Sequence, residues 1–125
     1  MQRLTPKQLK EYREAQWLAQ GKRCALTGYT ISLDQAVVDH DHATGRIRGV
    51  LHRGVNSLLG KIENSYRRFG VSLPMVTAMA AGIQEYLTSD QGCAPVYPKH
   101  RTEEEKRERR NKLAREARAR KKAAL

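Results

Sequence analysis

The sequence predicts an α+β fold: a small hairpin core flanked by helices, with a basic helix at its C-terminal end. Three observations carry this. Val37-Val38-Asp39-His40-Asp41-His42 opens with β-branched residues, Ala43-Thr44-Gly45 has turn chemistry, and Arg46 to Leu51 returns, which together spell a hairpin. On either side of it, apolar residues recur at helical spacing. Beyond residue 101 apolar residues almost vanish, while acids gather at the start of the stretch and bases at its end.

In chain order, Thr5-Pro6-Lys7-Gln8 reads as a helix start, with Thr5 as N-cap, Pro6 as first helical residue and Gln8 as capping-box partner. Leu9, Tyr12 and Ala19, with Trp17 or Leu18, give a loose apolar face, and Gly21 supplies a left-handed cap. Arg23 to Tyr29 reads as a tight turn and Ile31 to Gln35 as a loop or short turn. After the hairpin, in which Ile47 and Val50 break strict alternation and imply a bulge near Gly49, a helix carries Leu58, Leu59, Ile62 and Tyr66 or Phe69 on its buried side and ends at Gly70. Another starts at Ser72-Leu73-Pro74, with Val76, Met79 or Ala80, Ile83 and Leu87 as one stripe suited to a core or an oligomer interface. These features divide the chain into a domain over residues 1–90, a linker over 91–101 and a helical tail over 102–125. In the tail, Glu103/Arg107, Glu105/Arg109, Glu108/Lys112 and Glu116/Arg120 are favourable i,i+4 pairs.

The chain has 125 residues and a formal net charge of +11. Residues 101–125 hold 11 Lys/Arg against 5 Asp/Glu, and residues 1–100 hold 13 against 8, so the excess is spread along the chain. A polyanion is the partner this charge fits, and nucleic acid is the commonest one. No apolar run approaches the roughly 20 residues of a membrane span, and Met1 to Pro6 has no apolar core of a secretion signal, so the expected compartment is the cytoplasm. Cys24 and Cys93 stand alone, without a C-x-x-C pairing, and read as free thiols.

The hairpin and the helix after it concentrate chemistry. Phosphodiester hydrolysis needs a group to take a proton from water, positive charge to neutralise the phosphorane, and stabilisation of the leaving 3′-oxygen. A neutral imidazole suits the first, and a hard cation held by Asp and Asn oxygens suits the others. Asp39, His40 and Asn56 are such a set, and Arg46, Arg48 and Arg53 are placed to hold flanking phosphates. Strand parity puts Asp39 and His40 on opposite faces. Either the strand end twists so that both serve one site, or His40 pairs with His42 on one face and Asp39 with Asp41 on the other. A polar hairpin rim without chemistry has the same spacing.

Asp39-His40-Asp41-His42-Ala43-Thr44-Gly45-Arg46-Ile47-Arg48-Gly49-Val50-Leu51, followed by Asn56-Ser57-Leu58-Leu59-Gly60, closely resembles the phage recombination endonuclease VII family of His-Me finger (HNH-like, ββα-metal) nucleases. The likeness runs from about Lys7 to Leu87. It implies a ββα-metal core at about residues 37–68, with Asp39 and Asn56 as ligands of Mg²⁺ (or Mn²⁺), His40 as general base, and Asp41 and His42 as supporting residues. It also implies a strand-end twist that lets Asp39 and His40 converge. The family usually carries a structural zinc on two C-x-x-C pairs. Here those positions read Cys24-Ala25-Leu26-Thr27 and His52-Arg53-Gly54-Val55, so only Cys24 and His52 remain as ligand types and no zinc is expected. Leu26, Tyr29 and Val55 are then expected to fill the space, with a polar Cys24–His52 contact.

These readings lead to a Mg²⁺-dependent DNA endonuclease, either encoded by a phage and acting in the host cell or associated with the nucleoid. Its expected substrate is branched DNA such as a Holliday junction, and its expected form is a homodimer through the helices at 57–87. Arg109, Arg110, Arg118, Arg120, Lys121 and Lys122 of the tail are expected on DNA. The alternatives are an HNH-type nicking or homing enzyme on duplex DNA, and an inactive DNA-binding relative.

Overall fold

The computed structural model describes residues 2–125. Its element order is α1 (Pro6–Ala19), a 3₁₀ turn (Leu33–Gln35), β1 (Ala36–His40), β2 (Ile47–His52), α2 (Arg53–Ser65), a 3₁₀ turn (Tyr66–Phe69), α3 (Leu73–Thr88) and α4 (Glu103–Ala123). The fold is α+β, with four helices and one two-stranded antiparallel sheet. By contacts the chain divides into two units, Met1–Gln84 and Glu85–Leu125.

In the first unit, α1 starts as its sequence dictates. Thr5 Oγ1 accepts from the Gln8 N–H, and the Gln8 side chain accepts from the Thr5 N–H at 2.9 Å. Its docking differs from the apolar face expected. Leu9, Tyr12 and Leu18 are exposed, and mainly polar groups hold the helix. Arg13 donates to the carbonyls of Leu33 (2.7 Å) and Ala36 (3.0 Å), and the Trp17 indole N–H to that of Ile31 (3.0 Å). Gln20 behaves as a stand-in strand residue: its amide donates to Val50 O at 2.9 Å and accepts from Val50 N–H at 3.0 Å. That approach explains Gly49, where an added Cβ would come within 3.2 Å of the Ala25 Cβ and 3.5 Å of Gln20 Oε1.

The hairpin pairs Ala36 with His52, Val37 with Leu51, Val38 with Val50 and Asp39 with Gly49, and then slips so that His40 faces Ile47. Arg48 is the extra residue of a bulge, one position from the expected one. β1 stops at His40 rather than His42 because Asp41 turns the chain. Its Oδ1 accepts from the N–H groups of Ala43 (2.8 Å) and Thr44 (3.0 Å), and Gly45 closes the turn at φ 76°.

The core is small: Cys24, Ile31, Ala36, Val50 and Leu51, with Trp17, Val38, Val55 and Leu59 packed against it. Of the three residues expected to fill the space at the two former C-x-x-C positions (the knuckle), only Val55 packs on the core. Leu26 and Tyr29 are exposed, because backbone bonds between Cys24 and Tyr29 (2.9 Å) and Gly28 and Cys24 (2.9 Å) close the turn with those side chains outward. On α2, Leu59, Ile62 and the following Tyr66 are half-buried, whereas Leu58 and Phe69 face solvent. The α3 stripe has only Val76 half-buried, with Met79, Ile83 and Leu87 exposed.

In the second unit, α4 begins with Thr102 accepting from the Glu105 N–H and buries nothing. None of the four expected i,i+4 pairs forms an ion pair among the described residues. The tail's one bridge is Lys106–Glu103 at 2.8 Å, an i,i+3 contact worth a few tenths of a kcal/mol at most. Among the described residues no helix is long and apolar enough to cross a membrane.

Candidate active site at the end of the hairpin

The bulge places two adjacent residues of β1 in different surroundings. Asp39 is buried, with 6% of its surface exposed, and lies toward Leu59 and the α2 side of the sheet. Arg48, the bulged residue, grips both its oxygens with one edge of the fork: Nε to Oδ2 at 2.8 Å and Nη2 to Oδ1 at 3.0 Å. The same guanidinium binds Glu63 of α2 through Nη2 to Oε1 at 2.7 Å and Nη1 to Oε2 at 3.2 Å. Bonds to Glu63 and Asp39 hold the guanidinium far more basic than a free arginine. Arg48 was expected on phosphate; its N–H groups are instead largely used on two carboxylates.

His40 is exposed and stacks on His42, with ring centroids 5.0 Å apart and planes at 21°. It lines an open cavity of about 850 Å³ with Arg46 and Ile47 of the hairpin, and with Arg3, Leu9 and Tyr12 from the N-terminal segment and α1. Of the two parity arrangements, His40 beside His42 is the one present, while Asp39 and His40 line different cavities. Asp41, expected beside them, forms the turn, and backbone N–H bonds from Thr44 and then Ala43 hold its carboxyl below the usual carboxylate range.

Asn56 sits half-buried in the second turn of α2. It shares a helix face with Leu59 and Glu63, three and seven residues on. Leu59 packs on the core and Glu63 reaches Arg48, so this face looks onto the hairpin. Its carboxamide has no hydrogen-bond partner among the described residues. Arg53, expected near phosphate, is exposed and spends one N–H on the Asp34 carbonyl at 3.1 Å. Arg46 is exposed, without an ion pair among the described residues.

At the former knuckle the expected Cys24–His52 contact runs through the His52 backbone. Burial pushes the Cys24 thiol up, but bonds from the Thr27 side chain and from the His52, Thr27 and Leu26 backbone outweigh it and leave the thiol below its usual range. The His52 imidazole caps α2, its Nδ1 accepting from Gly54 N–H at 3.0 Å.

The donors fit a hard divalent cation. Arg48 takes one lone pair on each Asp39 oxygen, and a carboxylate offers about four such sites. A carboxylate and an amide oxygen with the remaining positions left to water and phosphate is the pattern Mg²⁺ favours. Among the described residues no three His, Cys, Asp or Glu side chains gather closely enough to hold a metal by themselves.

Glu63, Arg3 and Tyr12 were not foreseen. Glu63 lies 15 residues from Arg48 and no local pattern links them. Arg3 and Tyr12 belong to the N-terminal segment and α1, and only the packing of α1 brings them to His40.

No curated protein matches the chain. The family model for recombination endonuclease VII matches residues 2–74, more than half of the sequence. That span holds α1, the hairpin, α2 and every residue of the hairpin end described above, and it stops before α4. The chain therefore belongs to the recombination endonuclease VII family, whose members are nucleases acting on branched DNA in recombination.

Proposed function

We propose that this chain is a Mg²⁺-dependent DNA endonuclease that resolves branched DNA of the Holliday-junction kind by a one-metal mechanism, with Mn²⁺ able to replace Mg²⁺. The observation that carries the reading is the end of β1, where a buried, oriented carboxylate (Asp39) adjoins an exposed imidazole (His40). Consecutive Cα atoms are about 3.8 Å apart. A phosphodiester lying across the end of the strand meets His40 from one side and the Asp39–Asn56 donors from the other. In this reading residues 37–68 are a His-Me finger core within a nuclease domain of residues 1–90. The linker is 91–101 and the tail 102–125, and the protein works in the cytoplasm of a phage-infected cell.

His40 takes the proton from the attacking water, and its partner His42 keeps the ring in place by stacking. Asp39 and Asn56 would hold a divalent cation, which would supply positive charge to the transferring phosphate and to the leaving 3′-oxygen. Arg46 and Arg3, on the cavity that His40 lines, hold the flanking backbone, and Arg53, exposed at the start of α2, is a further candidate for a phosphate. The products carry 5′-phosphate and 3′-hydroxyl ends. Arg109, Arg110, Arg118, Arg120, Lys121 and Lys122 add backbone contacts that carry no sequence information.

Resolving a junction takes two cuts, hence two copies. The groove between the end of α2 and α3 supports a dimer through residues 57–87. It holds about 350 Å³ and is lined by Ile62, Tyr66, Phe69, Val71, Val76 and Met79, with Ile83 exposed further along α3. Incubating a four-way junction with Mg²⁺ and either wild type or His40→Ala tests the proposal. Paired nicks by wild type alone are expected. An intact junction under wild type, bound but uncut, rejects the enzyme in favour of a DNA-binding relative.

A further inference from the structure

Arg48 lies two residues from Arg46, yet its bonding sets it apart. The fork makes two bidentate contacts at once, to Asp39 by one edge and to Glu63 by the other, all between 2.7 and 3.2 Å. An arginine on phosphate needs a free edge, and Arg48 has none. Its position at the bulge explains the geometry: the extra residue between Ile47 and Gly49 re-aims the side chain toward α2.

We infer that Arg48 and Glu63 are positioning residues for the cation site, and that neither contacts DNA. The inference rests on the one-metal reading above. Asp39 is the buried member and has no other side-chain partner among the described residues. Without Arg48 its carboxylate would be free to rotate; with it, the plane is fixed and the remaining lone pairs keep one direction. Glu63 anchors the guanidinium from α2, the helix that also carries Asn56. The two donors are thus tied together through Arg48, strand to helix.

The charges agree. Two carboxylates against one guanidinium leave one negative charge over. A divalent cation then brings the site to one positive charge, and a phosphodiester brings it to neutrality. Glu63→Gln removes the excess negative charge and leaves Asp39 as the one ionic partner of Arg48 among the described residues. Both changes weaken cation binding.

The test uses the full chain and two readouts. Mn²⁺ affinity without DNA is measured by electron paramagnetic resonance. The salt dependence of four-way-junction binding is measured in EDTA, and thermal midpoints check folding. Glu63→Gln is expected to weaken Mn²⁺ binding roughly tenfold, the scale seen when an outer partner of a metal ligand is removed, with no change in the salt slope. Arg48→Lys is expected to leave the slope unchanged, whereas Arg46→Ala flattens it by about one. Wild-type Mn²⁺ affinity in Glu63→Gln, or a slope flattened in Arg48→Lys as in Arg46→Ala, overturns the inference while leaving the nuclease reading intact. A wild type that neither binds Mn²⁺ nor cuts the junction overturns both.

Discussion

The two sides of the hairpin's end differ by one residue in sequence and by almost everything in environment. Asp39 is buried, bound at both oxygens and tied through Arg48 to the next helix. His40 is exposed, stacked on another imidazole and open to a cavity that a polyanion can enter. The one-metal mechanism proposed above would use this asymmetry. The cation's ligands must be fixed before substrate arrives, since geometric tolerance is small. The base must stay reachable by water and exchange its proton freely.

Substitutions on the two sides should therefore fail in different ways. The largest effect expected is on chemistry alone: His40→Ala should lower the cleavage rate by about 10²–10⁴-fold, with the thermal midpoint and junction binding near wild type. Asp39→Ala should lose cleavage too, but should also cost stability, of the order of 1–2 kcal/mol. The full penalty of breaking a buried pair is discounted because Arg48 keeps Glu63 and is partly exposed. Chemical denaturation of the two variants side by side checks this, and equal midpoints would erase the asymmetry. A smaller effect is expected further out. Truncation after Lys99 should leave the midpoint unchanged and reduce the salt slope of binding, because α4 is basic and buries nothing. An unchanged slope would take the tail off DNA.

The same contrast reaches the two thiols and gives the smallest signal. Cys93 is exposed and Cys24 is 1% exposed despite a thiol held below its usual range. Iodoacetamide on the native chain should label Cys93 within minutes and Cys24 only on unfolding. Two equally fast labels would show that the knuckle turn opens.

Local rules read well from the sequence. Thr5-Pro6-Lys7-Gln8 gave its helix start because capping partners lie three residues apart, and Ala43-Thr44-Gly45 gave the turn because one residue there must take positive φ. Long-range polar contacts did not read. Gln20 completing the ladder at Val50, Arg13 reaching Leu33 and Ala36, and Glu63 meeting Arg48 join residues 15 to 30 apart, and any Gln, Arg or Glu on a helix surface has the same local signature. The strand ends two residues before the expected His42 because the Asp41 side chain, bound to the Ala43 and Thr44 N–H groups, turns the chain there. The α3 stripe was legible as a stripe, but periodicity says nothing about whether the covering surface lies in the same chain.

One comparison bears most directly on the central claim, that the two sides of the hairpin's end act together on one phosphodiester. Four-way junction, nicked duplex and linear duplex, incubated in parallel with Mg²⁺ and wild type or His40→Ala, should show paired nicks in the junction under wild type. The other two substrates should be cut little, and His40→Ala should cut nothing beyond background while still binding the junction. Cleavage by His40→Ala at the wild-type rate, or a junction that wild type binds and never cuts, would contradict it.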